Sequence, residues 1–270
     1  MNRVKLLSKN IILKILFIGA IGVQTISCSL LDDGNDGESS SSSAEPSSSS
    51  TEPSSSSVEP SSSSGNGGLC AGFVDETPRM HFEAEKTQFC DERDGQKYVY
   101  VTIGEQIWMA ENLNYNAAGS MCYDNLESNC DIYGRLYDWD TAMNGAASSN
   151  ANPSGVQGVC PDGWHLPGDA EWTVLTSYAE DTWGRDSGDR LKTSSGWNPD
   201  YGADAFGFSA LPGGRGRDGS FDYVGSNGSW WSTTESNASV AWYRSMGSSS
   251  DVSWFSGDKA SQFSVRCVKD

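Results

Sequence analysis

Hydrophobic residues follow three different patterns along the chain. Residues 11–23 form an apolar run with a single lysine, 38–64 are mostly serine, glutamate and proline, and beyond residue 70 short apolar stretches alternate with glycine-rich ones. Every Trp and every Tyr lies in this last region. Because a core needs large apolar side chains, we predict one globular domain over 70–270.

The alternation of apolar and polar positions in this region predicts short strands. The predicted strands are 97–103, 106–109, 133–137, 163–166, 206–211, 229–233, 240–246 and 263–268. A short helix is predicted over 138–144, and a longer one begins with Asp169 as its cap and runs to about Trp183. The predicted fold class is therefore α+β, with many short antiparallel strands and one or two helices.

The apolar run near the start has the form of an export signal. Basic residues precede it, and it is too short to cross a membrane as a helix. Residues 24–28, ending in Cys28, then resemble a bacterial lipobox, in which the cysteine is acylated. We predict a signal peptide over 1–27 and a lipid anchor on Cys28 that holds the protein in the outer membrane, facing the exterior. The alternative is a secreted protein with an unmodified Cys28.

Residues 28–69 are predicted to form a disordered tether. Three related units, AEPSSSS, TEPSSSS and VEPSSSS, occupy 44–64. Serine and glutamate cannot bury enough apolar surface to offset the entropy lost on ordering. The tether is therefore expected to hold the folded domain away from the membrane.

The formal net charge of −18 limits the classes of partner. Proteins that bind nucleic acid carry clustered Lys and Arg, and anionic lipid repels a negative chain. We therefore expect no nucleic-acid partner, and contact with the membrane only through the lipid on Cys28.

The seven cysteines agree with an exported protein. An odd cysteine needs an explanation, and acylation of Cys28 leaves an even number that can form disulfides in any of fifteen connectivities. We favour Cys122–Cys130 and Cys160–Cys267, which leaves Cys70–Cys90. Zinc binding is the alternative, but the chain has no C-x₂-C spacing and the expected compartment is oxidising.

Several motifs together resemble a known bacterial family. They are the run from Asp94 to Tyr115, Tyr-Gly-Arg-Leu-Tyr at 133–137, Cys-Pro-Asp-Gly-Trp-His-Leu-Pro at 160–167, Glu171-Trp172, and Phe-Ser-Val-Arg-Cys-Val at 263–268. In this order, over 90–270, they resemble the Fibrobacter succinogenes major paralogous domain. The resemblance implies a surface or secreted protein, often a lipoprotein with a serine-rich linker. It implies no established activity.

Two short stretches resemble the C-type-lectin-like fold more loosely. They are Trp-Trp-Ser-Thr at 230–233 and Val-Arg-Cys at 265–267. The resemblance implies that strands from the two ends of the domain pair and that long loops carry the ligand site. Sulfatase-modifying enzymes of the formylglycine-generating type share this fold, which makes such an enzyme the alternative function. That chemistry requires an unpaired, reactive thiol.

Aromatic and arginine side chains in Gly/Ser/Asp-rich segments are the candidate ligand-binding residues. Flat aromatic rings stack on sugar rings, and guanidinium groups bind carboxylates. The candidates are Trp183, Trp197, Tyr201, Arg215, Arg217, Tyr223 and Trp254. The two arginines could instead only offset Asp218 and Asp222. The tryptophans expected in the core are Trp108, Trp164, Trp172, Trp230 and Trp242.

No catalytic residue, metal site or cofactor is assigned. His165 lacks a nucleophile with a recognisable local pattern, and we interpret it as a packed strand residue. The calcium motifs of sugar-binding lectin-like domains are absent, and the nearest stretch is 197–200. Calcium remains an alternative because five aspartates in glycine-rich segments offer oxygen ligands. They are Asp181, Asp186, Asp189, Asp218 and Asp222.

The sequence thus predicts a cell-surface lipoprotein that displays a non-catalytic binding or adhesion domain. Its expected partner is a polysaccharide or another surface protein. The alternatives are the formylglycine-generating type of enzyme and a structural envelope protein without a small ligand.

Overall fold

The computed structural model describes residues 68–73, 86–199 and 201–270. The predicted signal peptide, Cys28 and the tether up to residue 67 lie outside the described residues. The chain separates into two units, 1–61 and 62–270, and the described residues all belong to the second unit. None of the helices in the described part has the length and apolar character needed to cross a bilayer.

Short strands dominate the described residues, as the alternating pattern predicts. They are β1 (Lys86–Cys90), β2 (Lys97–Ile103), β3 (Gln106–Met109), β4 (Leu136–Tyr137), β5 (Trp164–His165), β6 (Gly213–Arg217), β7 (Ser220–Val224), β8 (Gly228–Asn237), β9 (Val240–Met246), β10 (Ser253–Asp258), β11 (Phe263–Ser264) and β12 (Val268–Lys269). The predicted bounds of β2, β3 and β9 are confirmed. The mixed, mostly antiparallel fold class is confirmed as well.

The strands form two sheets. The first has the order β1-β2-β3-β12-β5 and is antiparallel throughout. The second runs β10-β9-β8-β11-β4, and the β6–β7 hairpin joins it where Gly214 pairs with Gly228 of β8. Strand β10 pairs only with β9 and is therefore an edge of this sheet.

The described residues contain four α-helices and a short 3₁₀ helix at Tyr123–Asn125, instead of the predicted one or two helices. The α-helices are α1 (Glu127–Tyr133), α2 (Trp139–Met143), α3 (Asp169–Trp183) and α4 (Ser187–Leu191). Only α3 is longer than two turns, and the short helices carry too few residues for a periodic pattern to show. Asp169 was expected to cap α3 but is its first residue, and Gly168 stands before it. The backbone N–H of Gly168 donates to Glu171 Oε2 at 2.9 Å.

The final segment connects the two sheets. A single strand was predicted over 263–268, but β11 pairs in the second sheet and β12 in the first. Between them, Val265 O accepts from Leu113 N and Cys267 O accepts from Met109 N. The segment must leave one sheet to enter the other, and this interrupts the predicted strand.

Two hydrophobic clusters form the core. One contains Trp164, Trp231 and Phe263, and the other contains Trp108 and Trp172. The predicted core tryptophans are buried, except that Trp242 is only partly so. Trp231 and Trp139 are further buried tryptophans that the sequence did not single out.

The predicted strand over 206–211 is wrong. This segment is a loop because Gly207 and Ser209 have positive φ angles of 69° and 54°, which no strand adopts. Ser209 is held there by Asp204, whose carboxylate accepts from the Ser209 N–H at 2.7 Å.

Candidate functional site

The six described cysteines form three disulfides. They are Cys70–Cys90, Cys122–Cys130 and Cys160–Cys267, the pairs favoured from the sequence. Glu127 lies beside the second pair, and these three residues are the one group of potential metal ligands within the described ranges. Because the two sulfurs are bonded to each other, the group is a disulfide and not a zinc site.

His165 is a buried strand residue, as predicted, but it has two acidic partners. Its Nε2 lies 2.7 Å from Glu171 Oε1, and its Nδ1 lies 2.7 Å from Asp270 Oδ1. Burial opposes protonation of the ring, but the hydrogen bond and charge of Glu171, then those of Asp270, outweigh it and raise the pKa of His165. The ring joins β5, the first turn of α3 and the residue after β12. No hydroxyl or thiol accompanies it as a nucleophile in the hydrogen bonds of the described residues.

Arg215 and Tyr223 face each other across the β6–β7 hairpin. The Arg215 guanidinium lies 4.8 Å from the centre of the Tyr223 ring. Tyr223 is 55% exposed and has a positive φ of 69°. Arg217, two residues along β6, forms ion pairs with Asp218 at 3.4 Å and with Asp258 at the end of β10 at 3.6 Å. The second ion pair connects the hairpin to the edge strand.

Two aromatic residues that were not among the predicted candidates complete this surface. Phe255 on β10 pairs with Tyr243 on β9, with ring centres 5.9 Å apart, and Phe255 is 50% exposed. Burial raises the pKa of Tyr243, and the positive charge of Arg215 opposes this rise. We name this surface, formed by Arg215, Arg217, Tyr223, Tyr243 and Phe255, the arginine face.

Trp254 lies next to Phe255 on β10 but belongs to the opposite side of the sheet. Successive residues of a strand point to opposite faces. Trp254 is 63% exposed, and its ring centre is 5.9 Å from the guanidinium of Arg244. Arg244 is itself buried and pairs with Asp169 at the start of α3. The edge strand therefore presents one aromatic ring on each side.

The structure does not bring the other predicted candidates to this surface. Trp197 is only 4% exposed, and its indole N–H donates to Thr193 Oγ1 and to Ala210 O, so it is a core residue and not a loop platform. Trp183 is the last residue of α3, and its side chain lies outside the described residues. Tyr201 is exposed but makes no ring contact with the arginine face in the described residues.

A polar cavity of about 550 Å³ lies apart from the arginine face and shares no lining residue with it. Its wall is Arg93, which lies 3.9 Å above the Tyr115 ring. Arg93 Nη2 donates to Asp91 Oδ2 at 2.7 Å, and Nη1 donates to Val159 O at 2.9 Å. Because these donors already bond Asp91 and Val159, Arg93 connects two loops of the protein.

The five aspartates considered for calcium do not converge within the described residues. Asp189 forms an ion pair with Lys192 at 3.0 Å, and Asp218 forms one with Arg217. No group of three of these carboxylates is close enough to share an ion in the described ranges.

Comparison with protein families identifies the chain. Residues 101–269 match the Fibrobacter succinogenes major domain. The chain belongs to this family. Searches of curated proteins and of solved structures found no match.

Two motif residues of the Fibrobacter succinogenes major domain, Asn112 and Arg266, form a buried hydrogen-bonded cluster with Trp230, which we name the hub. Asn112 Oδ1 accepts hydrogen bonds from Trp230 Nε1 at 2.8 Å and from Arg266 Nε and Nη2 at 3.2 and 2.7 Å. Arg266 also donates to the carbonyls of Phe208 and Ser209. Burial lowers the pKa of Arg266 to about 9. These residues join both sheets and the 206–211 loop, so this part of the family pattern specifies the fold.

The cysteine pairing bears on the alternative enzyme. A reaction of the formylglycine-generating type needs a free thiol, and all six cysteines in the described part of the chain are paired. The described residues therefore contain no candidate for that role.

Proposed function

We propose that this protein is a cell-surface lipoprotein whose domain binds polysaccharide through the arginine face, without catalysis. The observation that carries the proposal is the exposure of two aromatic rings, Tyr223 packed on Arg215 and Phe255 packed on Tyr243. Exposed aromatic rings grouped with polar side chains mark interaction surfaces. Rings of this kind stack on the apolar faces of sugars, while neighbouring polar groups bind the hydroxyls.

The position of the arginine face supports this role. It lies on β6, β7, β9 and β10, so regular strands hold the rings in place. The Arg217–Asp258 ion pair spans the hairpin and the edge strand. A preordered surface loses less entropy when a ligand binds.

The proposal includes a C-type-lectin-like fold for the domain. Two features support it. The last strand, β12, pairs with β3 in the sheet that also contains the first strands. The Cys160–Cys267 disulfide ties the middle of the domain to its end.

The proposal also includes a lipid anchor on Cys28 and a tether over 28–69 that projects the domain from the outer membrane. The basic and apolar start of the chain and its serine-rich repeats support this. Labelling of growing cells with a radioactive fatty acid should mark the wild-type chain and not Cys28→Ser. Equal labelling of both would contradict the anchor.

Binding is tested with residues 28–270 carrying Cys28→Ser, which keeps the whole proposed mature chain in soluble form. Affinity gel electrophoresis against cellulose derivatives, xylans, mixed-linkage glucans and pectins should retard this protein in at least one gel. Tyr223→Ala and Phe255→Ala should each weaken that binding about fivefold to tenfold, because a lost stacking contact contributes about 1 kcal/mol.

Tyr178→Ala is the matched control. Tyr178 is a partly exposed aromatic residue on α3, away from the arginine face, and its replacement should leave binding unchanged. Retention of the wild type that neither face variant reduces would contradict the proposed surface. Failure of every polysaccharide to bind would favour a protein ligand or the structural alternative.

A further inference from the structure

Arg215 has no ionic partner among the described residues of a strongly acidic protein. The chain contains 36 acidic and 18 basic residues. Arg93, Arg135 and Arg244 each pair with a carboxylate. Arg215 forms no ion pair with any described residue. Asp222, its partner across the hairpin, is the nearest in register but does not come within ion-pair distance.

The Tyr223 ring holds the guanidinium of Arg215 in place, but no described residue accepts a hydrogen bond from it. The Tyr223 ring packs against it at 4.8 Å. Its Nε is buried without an acceptor, and its terminal nitrogens make no hydrogen bond within the described ranges. An oriented guanidinium with open donors matches the two oxygens of a carboxylate.

We infer that the arginine face selects acidic polysaccharides, and that Arg215 determines this specificity by binding the carboxylate of a uronic acid residue. Tyr223 and Phe255 then stack against sugar rings on either side, and the Tyr243 hydroxyl, which has no partner in the described residues, bonds a sugar hydroxyl. This inference rests on the proposed function, since it names the class of ligand for the same surface.

The overall negative charge disfavours non-specific binding of an acidic polymer. A chain with a net charge of −18 repels a polyanion at long range. Non-specific adsorption, which brings polyanions to basic proteins, is therefore disfavoured here. Binding of an acidic polymer requires short-range contacts, and Arg217 contributes less because Asp218 and Asp258 already neutralise it.

The test compares each acidic polymer with its own neutral form. Polygalacturonate and glucuronoxylan are measured beside the same polymers after reduction of their carboxyl groups, by calorimetry with the 28–270 Cys28→Ser protein. The wild type should bind at least one acidic polymer about tenfold more tightly than its reduced form. Arg215→Gln should bring that ratio close to one, and Arg215→Lys should keep part of it; the ratio, and not the affinity for either polymer alone, is the readout.

Arg185→Gln is the control for charge, because Arg185 is an exposed arginine between α3 and α4. It should preserve the ratio. Unfolding midpoints and free-thiol counts for all variants show whether each one is folded. Equal affinity for acidic and reduced polymers, or a ratio that Arg215→Gln does not alter, overturns the inference and leaves the proposed function standing. Absence of binding to any polysaccharide overturns both.

Discussion

Two arginines of this domain show how differently it uses the same side chain. Arg266 is fully buried, and Asn112, Phe208 and Ser209 supply neutral oxygens for its donors. Arg215 lies at the surface on a tyrosine ring, and its terminal nitrogens have no acceptor among the described residues. Arg266 therefore connects several parts of the fold, whereas Arg215 keeps hydrogen-bond donors that no described residue uses.

The two arginines also differ in their relation to the family motifs. Asn112, Arg266 and the nearby Cys267 belong to the motifs that mark the family, and all three are buried. Arg215 and Tyr223 lie in a glycine-rich hairpin outside those motifs. Members of the family can therefore share the hub and differ at the arginine face.

The largest expected effect is loss of the disulfide beside the hub. The Cys160–Cys267 bond closes 107 residues of sequence separation, whereas Cys122–Cys130 closes 8. From the entropy of loop closure, Cys160→Ser/Cys267→Ser should lower the free energy of unfolding by about 4–5 kcal/mol, and Cys122→Ser/Cys130→Ser by about 2–3 kcal/mol. Guanidinium chloride unfolding measures both. Equal losses would show that the terminal segment is not a special constraint.

The next effect contrasts the two arginines directly. Arg266→Met leaves the carbonyls of Phe208 and Ser209 without this donor and leaves Asn112 Oδ1 with only Trp230 Nε1, and should lower stability by about 3 kcal/mol or more. Arg215→Met removes no hydrogen bond between described residues and should change stability by less than about 0.5 kcal/mol. Urea unfolding of the two variants gives the comparison. Similar losses in both would remove the distinction between hub and surface.

A smaller effect depends on pH. Protonated His165 bonds Glu171 and Asp270, and His165→Gln should lower stability by about 2 kcal/mol at pH 6. Because the folded protein raises the pKa of His165, this stabilisation is complete below the ordinary pKa and is lost as the pH rises through the raised value. The difference between wild type and variant should therefore shrink towards pH 9 in thermal unfolding. A constant difference would mean that charge on the ring plays no part.

The sequence predicts the regular parts of the fold well. Strands β2 and β9 and helix α3 carry enough periodic residues to define their bounds. The segment 206–211 has an apolar pattern like a strand, but Gly207 and Ser209 turn the backbone and direct its carbonyls to Arg266. No local pattern reveals that distant partner.

The candidate site is predicted only in part. Arg215, Arg217 and Tyr223 stand out because they interrupt a glycine-rich segment. Tyr243 reads as a core residue, and it reaches the surface only because β9 lies beside an edge strand. Trp197 was predicted to be an exposed loop residue, but it is buried. The composition of a loop does not indicate which of its side chains face the core.

Hydrogen exchange of backbone amides with and without bound polysaccharide locates the ligand without mutation. With polygalacturonate or any other polymer that binds, we expect slower exchange in 213–224 and 253–258, and little change around Asn112 and Arg266. Protection confined to the lining of the Arg93 cavity, at 115–118, 140–145 and 157–160, would contradict this expectation.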